Sequence, residues 1–524
     1  MIRKLFKLNY NLFHVNTLHN HMRKRGKKMR IKTIFLSCII INVVCLSAID
    51  SITARLNEKN DEYYSSFMIH PSQHITYDSI SKMIHYTNKN LVVAHPPIRI
   101  IGNNGFSRQN GVTGGNGDRD DPYIIEHWEI EGSPFWIFIN TFLHFLEQSN
   151  LDNKMEHFVN IPICGIYLKD TTKHVIIRNN NIFNWKGTQR ELLQIAGITL
   201  INNSNVTIES NLFQNNYIGV NIANAQMIQK KFENYTMTFG QSYNCTFLTI
   251  QDNTFISNEN AALYLSSTTE SQIVRNNFSQ NDCGITSTTS NVSIEHNQII
   301  SNGNGIICTQ SDFSTINNNT IMSNGNGIYC AESGPPADPN GSNPKITCNY
   351  IKGNAAGIFI NTNYPVIINN SIINNMFGIM NMGFSRLPVV IIDNEIKGND
   401  YGIDYYGSCI IEHNLVTFND QGIDIRGNAL VNHNIISSNN YNGICCGTIS
   451  SDKTSPNIHY NNIINNAEMG ILWKQSICDI AATYNFWGTP DGPRGYGSGT
   501  GDEVDQHILF IPWLSEMDQQ AGPR

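Results

Sequence analysis

From about residue 160 the chain repeats itself every 22 or so residues, and two short units alternate through that stretch in strict order. One unit is Gly followed by an aliphatic residue. It recurs at Gly165-Ile166, Gly197-Ile198, Gly219-Val220, Gly284-Ile285, Gly305-Ile306, Gly327-Ile328, Gly357-Ile358, Gly378-Ile379, Gly402-Ile403, Gly422-Ile423, Gly443-Ile444 and Gly470-Ile471, with Ala262-Leu263 filling the one gap. The other is an Asn shortly before an apolar residue: Asn181, Asn211, Asn253, Asn277, Asn297, Asn319, Asn349, Asn370, Asn394, Asn414, Asn434, Asn462 and Asn485. Thirteen of each interleave, and the longer intervals read as loop insertions.

A fixed period of this length without helical hydrophobic spacing predicts a β-solenoid. Leucine-rich repeats share the period but need Leu-x-x-Leu-x-Leu, which is absent. Within a unit the apolar residues alternate: Ile423 and Ile425 share one face, Asp424 and Arg426 the other. Short strands broken by Gly and Asn suit a coil with three turns per rung. The expectation is an all-β protein, a single right-handed parallel β-helix of about 13 coils with a cap at each end. At about 4.8 Å per coil it would be a rod of roughly 60 Å. Asn supplies about one residue in seven. It tolerates left-handed backbone angles at tight turns, and identical Asn side chains stacked coil on coil can hydrogen-bond into a ladder.

The predicted organisation is a basic leader plus signal peptide or signal anchor (1–54), a polar linker (55–94), an N-terminal cap and loop excursion (95–160), the repeats (161–487) and a C-terminal cap (488–524). In the leader, Arg30 and Lys32 precede an apolar run from Ile34 to Ile49, then small residues Ser47, Ala48 and Ala54. That is the pattern of an export signal. The run is short for a membrane span, and an uncleaved signal anchor would attach the chain to a membrane. Either Met1 or Met29 could be the true start. The body is expected outside the cell or on its surface.

Charged residues are 15% and net charge is -7, which gives no electrostatic footprint for nucleic acid. Of twelve cysteines, Cys38 and Cys45 lie in the leader. The rest show no CxxC pair and no His-x-x-x-His partner, against a zinc site, and read as small apolar core filler rather than disulfides.

Three segments carry a family likeness. The opening His95 to Gly132, the Asn-Asn-x-Ile and Gly-Ile units, and the ending Asn485-Phe486-Trp487-Gly488 with Gly497 to Asp502 together resemble the NosD-like, or CASH-type, right-handed β-helix repeat proteins, especially exported archaeal ones. The resemblance spans about residues 95 to 513. It implies the fold, and a prior toward sugars, since CASH refers to carbohydrate-binding proteins and sugar hydrolases. NosD itself is associated with maturation of a copper enzyme outside the membrane. Fold alone does not choose between these.

The residue after Gly-Ile points outward. Down the rod that column reads Tyr264, Thr286, Ile307, Tyr329, Phe359, Met380, Asp404, Asp424, Cys445, Leu472. Asp404 and Asp424 should stand one strand spacing, about 5 Å, apart, with Tyr406 and Arg426 facing the same way two residues on. Two carboxylates so close can share a proton, and retaining glycosidases hold an acid pair at about this distance. The pair is therefore the candidate catalytic site of a polysaccharide hydrolase, lyase or epimerase. Tyr329, Phe359, Tyr406 and Arg426 are the candidate glycan-binding residues beside it. The competing reading is an ordinary exposed strand face on which Arg426 neutralises Asp424. His413 and His433, on adjacent rungs, are metal candidates with Cys445 or Met380 nearby, or solvated turn residues. Asp118, Asp120 and Asp121 could chelate calcium but lack EF-hand spacing. Among Asn-x-Ser/Thr sequons, Asn234 and Asn244 in a long loop are the candidate glycosylation sites. The leading function is an extracellular carbohydrate-interacting or surface-structural β-helix that meets a polysaccharide or cell-surface glycan. The alternatives are the enzyme above and a NosD-like copper-enzyme maturation accessory.

Overall fold

The structure is a computed structural model; it describes residues 93–133, 158–159, 163–186, 195–223, 225–231, 236–242, 244–309, 314–331, 344–361, 365–383, 388–447, 455–474 and 479–524. The leader and nearly all of the linker lie outside them. Among the described residues no helix is long and apolar enough to cross a membrane.

Three long parallel sheets, of 14, 16 and 16 strands, wind into a right-handed β-helix. One coil shows the rule. Glu395–Lys397 lies in the first sheet, Tyr401–Tyr406 in the second and Cys409–Glu412 in the third; the next coil repeats them as Leu415–Thr417, Gln421–Arg426 and Ala429–Asn432. The Gly-Ile units fall in the second sheet, and each aliphatic pairs in register with its successor, as Ile379 with Ile403 and Ile403 with Ile423. These side chains point inward and are fully buried. Phe213, Phe255 and Phe278 stack the same way, with centroids 4.7 and 4.8 Å apart. The glycine is required by close approach: a Cβ on Gly402 would stand 2.4 Å from the Gly422 carbonyl oxygen and 3.1 Å from the Asn419 amide.

The Asn ladder is present, with two differences from the expectation. At three Asn-Asn pairs the member is the first residue: Asn180, Asn276 and Asn461, not Asn181, Asn277 and Asn462. The first of each pair sits where its side chain faces the coil interior. The left-handed residue is also not the ladder Asn but the one before it, whatever its type: Arg275, Cys348, Asp393, His413, Tyr460 and Tyr484 all have φ between 53 and 59°. Such a conformation costs a non-glycine residue about 1–2 kcal/mol. The buried amide that follows offsets it. The Asn394 Oδ1 accepts from the Asn370 backbone N–H and Nδ2 (2.9 and 3.0 Å), while its own Nδ2 donates to the carbonyls of Ile367 and Ile392 and to Asn414 Oδ1.

A second ladder was not anticipated. Five residues after the first, at the opposite corner of the first sheet, Asn216, Asn258, Asn281, Asn302, Asn324, Asn354, Asn375, Asn399, Asn419, Asn439 and Asn466 stack identically. It ends on Asp502, whose Oδ2 accepts from the Asn466 N–H and Nδ2 at 3.0 and 2.7 Å. No further coil follows that would need a donor from this position, so a carboxylate suits it.

The β-helix starts before the repeat does. Ile98–Ile101, Tyr123–Glu126 and Trp128–Glu131 join the second, third and first sheets, so much of the expected N-terminal cap forms a coil. Trp128 folds over its end, donating Nε1–H to the Gly111 carbonyl. At the other end Trp487 is fully buried, and Gly501–Val504 and Ile508–Leu509 extend the second and third sheets. The long loop after Gly219 is a hairpin, Ala225–Lys231 with Thr236–Ser242, which pairs antiparallel with Phe158–Val159. Nine cysteines are described, all free; eight are buried and Cys348 is exposed. Cys245, Cys308, Cys330, Cys409 and Cys446 fill the apolar core, whereas Cys445 stands in the outward column of the second sheet.

Candidate functional site

The outward column of the second sheet is in register from Tyr264 to Leu472 as expected, and it brings Asp404 directly opposite Asp424. Tyr406 pairs with Arg426 on the same strands. Gly447 follows Arg426 in that column, and a Cβ there would make ordinary van der Waals contact with the Arg426 Cγ at 3.4 Å.

Two cations organise the acids. Arg426 Nη2 lies 3.2 Å from Asp424 Oδ2 and 3.4 Å from Asp404 Oδ1. Lys474 Nζ, from the edge of the coil two below, donates to Asp424 Oδ2 at 2.8 Å. The Asp424 side chain is 3% exposed and Asp404 16%, whereas Arg426 and Lys474 are 41% and 46% exposed. Asp424 is therefore a buried anchor holding two half-exposed cations in place. Its Oδ1 is buried without a hydrogen-bond partner. Burial pushes the Asp404 carboxyl above its ordinary pKa, against the pull of Arg426. For Lys474, burial is the largest single influence and would lower the pKa, but the hydrogen bond to Asp424 and the neighbouring Asp424 and Cys445 groups together outweigh it, and the ammonium is held above its ordinary value. Below Asp424 in the column, the Cys445 thiol is pushed up to about 11, by burial first and by Asp424 second. It is a neutral thiol, not a nucleophile.

A nucleophile or base must present a lone pair to substrate, and the Asp424 oxygens are covered or tied to cations. Asp404 is reachable, but alone it makes no acid–base pair.

Tyr329 and Phe359 stack at 5.2 Å and 13°, and Phe377 and Tyr401 at 5.1 Å and 16° in the neighbouring column. Stacking along the axis covers the inner ring faces with each other. The rings therefore offer edges: Phe359 and Tyr329 two and three coils from Asp404, Phe377 one coil from it, and Tyr401 on its own strand.

The histidines stand apart from this face. His413 and His433 do stack, at 5.1 Å and 6°, and the stack continues through Tyr460 to Tyr484. They occupy the corner between the third and first sheets, so Cys445 and Met380, on the second sheet, are not their neighbours. The chain's last residues run back along this corner. His433 Nδ1 donates to Asp518 Oδ2 (2.6 Å), His413 Nδ1 to the Gln520 carbonyl (2.9 Å), and the Gly522 N–H to the His433 carbonyl. Asp118 pairs with Lys173 at 3.2 Å, and Asp118, Asp120 and Asp121 lie in an exposed loop of the first coil. Among the described residues no three His, Cys, Asp or Glu side chains gather as a metal site. Asn244 is exposed; Asn234 lies outside the described residues.

Lys474 escaped the sequence reading. Its strand, Ile471–Trp473, ends one residue earlier, so it falls outside the Gly-Ile alternation. The available signal was its place two residues after Leu472, in the column of Tyr406 and Arg426.

No curated protein sequence matches the chain. Among solved structures, it is similar to a periplasmic alginate epimerase AlgG (12% identity, 70% of this chain and 84% of that one, TM-score 0.35). It is also similar to the A-module of the Azotobacter vinelandii mannuronan C-5 epimerase AlgE4 (13%, 61% and 83%, 0.32) and an exopolygalacturonase from Thermotoga maritima (9%, 67% and 79%, 0.26). At this level of likeness they bear on neither substrate nor reaction. Two families match directly: the right handed beta helix region over residues 164–321 and 239–390, and the periplasmic copper-binding protein (NosD) over 339–481. These matches, over residues 164–390 and 339–481, are consistent with a NosD-like right-handed β-helix repeat protein.

Proposed function

We propose that the chain is an exported carbohydrate-interacting β-helix that binds glycan on the outer face of its second sheet, at Asp404, Arg426 and Lys474, without cleaving it. One observation carries this reading: two half-exposed cations and a reachable carboxylate are fixed on a rigid sheet by a buried anchor, Asp424. Sugar hydroxyls both donate and accept, so paired charged groups match them, and groups held in place beforehand lose little entropy on binding. The neighbouring ring edges extend the surface. Export is supported by the leader pattern and by the periplasmic description of the matching family.

The copper-accessory alternative asks for soft ligands brought together. The described residues do not gather such a set: Cys445 is fully buried beside Asp424, and the two histidines sit at another corner with Nδ1 engaged.

The test incubates the full chain with a panel of neutral and acidic polysaccharides, scoring retention and new reducing ends together. Retention without new ends, weakened in Lys474→Ala and Arg426→Gln, is the expected result. Chain cleavage that disappears in Asp404→Asn and Asp424→Asn would replace this reading with the enzyme.

A further inference from the structure

The charge arithmetic of the same face says more about its ligand, provided the cluster is the binding locus. Asp404 and Asp424 supply two negative charges, Arg426 and Lys474 two positive ones, all within 3.4 Å of a partner. The cluster is neutral, on a chain of net charge -7. Its column neighbours, Met380 and Cys445, add no charge at neutral pH.

Position matters as much as the sum. A ligand carboxylate would seek the exposed side of Arg426. Asp404 lies 3.4 Å from that guanidinium, sharing the same nitrogen with Asp424, and it is the more exposed of the two acids. The incoming acid would meet a like charge at short range, and like-charge approach discriminates strongly against a wrong partner. A hydroxyl meets no such barrier. It can accept from Arg426 or Lys474 and donate to Asp404 in one arrangement. We infer that this face selects uncharged glycans, and that Asp404 is the residue that turns acidic ones away.

The experiment uses the full chain and Asp404→Asn, which keeps an acceptor in place and removes the charge. The probes are hydroxyethylcellulose and galactomannan as neutral polymers, polygalacturonate and alginate as acidic ones, in affinity electrophoresis at about 50 and about 500 mM NaCl. The wild type is expected to be retarded by a neutral polymer, with affinity changing less than about twofold between the two salts, and not by the acidic ones. Asp404→Asn is expected to gain retardation by an acidic polymer, at least about tenfold stronger at low salt than at high. Wild-type preference for an acidic polymer, lost in Arg426→Gln, would overturn this inference and leave the binding reading standing. So would a folded Asp404→Asn with unchanged preference. Retardation by none of the four polymers in either protein would overturn both. Should Asp404→Asn lose its melting transition, Asp404→Ser carries the same comparison.

Discussion

Exchanging Asn for Asp inside a ladder should be severe, while the reverse exchange at the ladder's end should be nearly silent. Asn394 is an interior member. Its Oδ1 accepts two hydrogen bonds from Asn370, and its Nδ2 faces three acceptors: the Ile367 and Ile392 carbonyls and Asn414 Oδ1, all within 3.0 Å. In Asn394→Asp an oxygen would face those three oxygens. The least costly escape is protonation. Holding a carboxyl of ordinary pKa near 4 neutral at pH 7 costs about 4 kcal/mol, from about 1.4 kcal/mol per unit. The protonated acid has one donor for three acceptors, which adds about 1–2 kcal/mol. The expected loss is about 5 kcal/mol at pH 7. The sign of the pH effect is fixed: the folded-state pKa of the new acid is raised, so stability is lost as pH rises through the interval between its unfolded and folded values and recovered on acidification. At pH 4 the loss should shrink to about 1–2 kcal/mol. At Asp502 both bonds arrive from Asn466 and no coil follows. Burial also holds that carboxyl's pKa up, so a neutral amide removes a penalty. Asp502→Asn should stay within about 1 kcal/mol of the wild type. Repeat arrays open locally, so the measurement is native-state hydrogen exchange of the amides around 370–414 and 461–466, at pH 7 and pH 5, beside thermal melts. Equal penalties for the two exchanges, or an Asn394→Asp penalty that does not relax in acid, would refute the donor–acceptor account of the ladder.

Removing Arg426 or Lys474 alone leaves Asp424 one partner, and each change to Met should cost about 1–2 kcal/mol; both together leave a buried charge unpaired and should cost about 3–5 kcal/mol, more than their sum, in a double-mutant cycle of chemical denaturation. Since burial raises the Asp404 pKa, its charge works against the folded state once pH exceeds that value; Asp404→Asn should melt at or above the wild type at pH 7, with the gap closing as pH falls toward 4. Among the described cysteines, Cys348 should react with iodoacetamide in the native chain; Cys308 (pushed up to about 12 by burial) and Cys409 should label only on unfolding, as read by peptide mass spectrometry. Asp518→Ala removes the His433 partner and should speed hydrogen exchange across residues 514–524 without moving the melting transition by more than about 2 °C.

The repeat was legible because both of its units are set by constraints that recur in every coil. Gly402 has the Gly422 carbonyl where a Cβ would go, and Ile403 stacks between Ile379 and Ile423, so residue type repeats with the backbone. Two features of the same backbone stayed hidden. The second ladder follows the first at a constant offset, but an Asn-rich chain supplies Asn at many offsets, and only shared burial separates Asn419 from exposed Asn440. The left-handed positions carry only a diluted residue signature: Asn, Asp and His hold 17 of the 32 non-glycine ones among the described residues, but ladder bonds on the next residue also outweigh the preference of Arg275 or Tyr460 for other angles.

The candidate site shows the same division more sharply. Register alone placed Asp404 over Asp424 and Tyr406 over Arg426, since strand pairing in a solenoid is strict and a slip of one residue would turn every isoleucine outward. Charge balance was not contained in register. It depends on Lys474, which lies just past its strand, and on how deeply the sheet buries one acid of two chemically identical ones. That asymmetry decides what the pair can do. Two equally exposed carboxylates could divide the roles of acid and nucleophile. A buried Asp424 bound to two cations instead fixes those cations in place, and leaves Asp404 as the acid that reaches solvent.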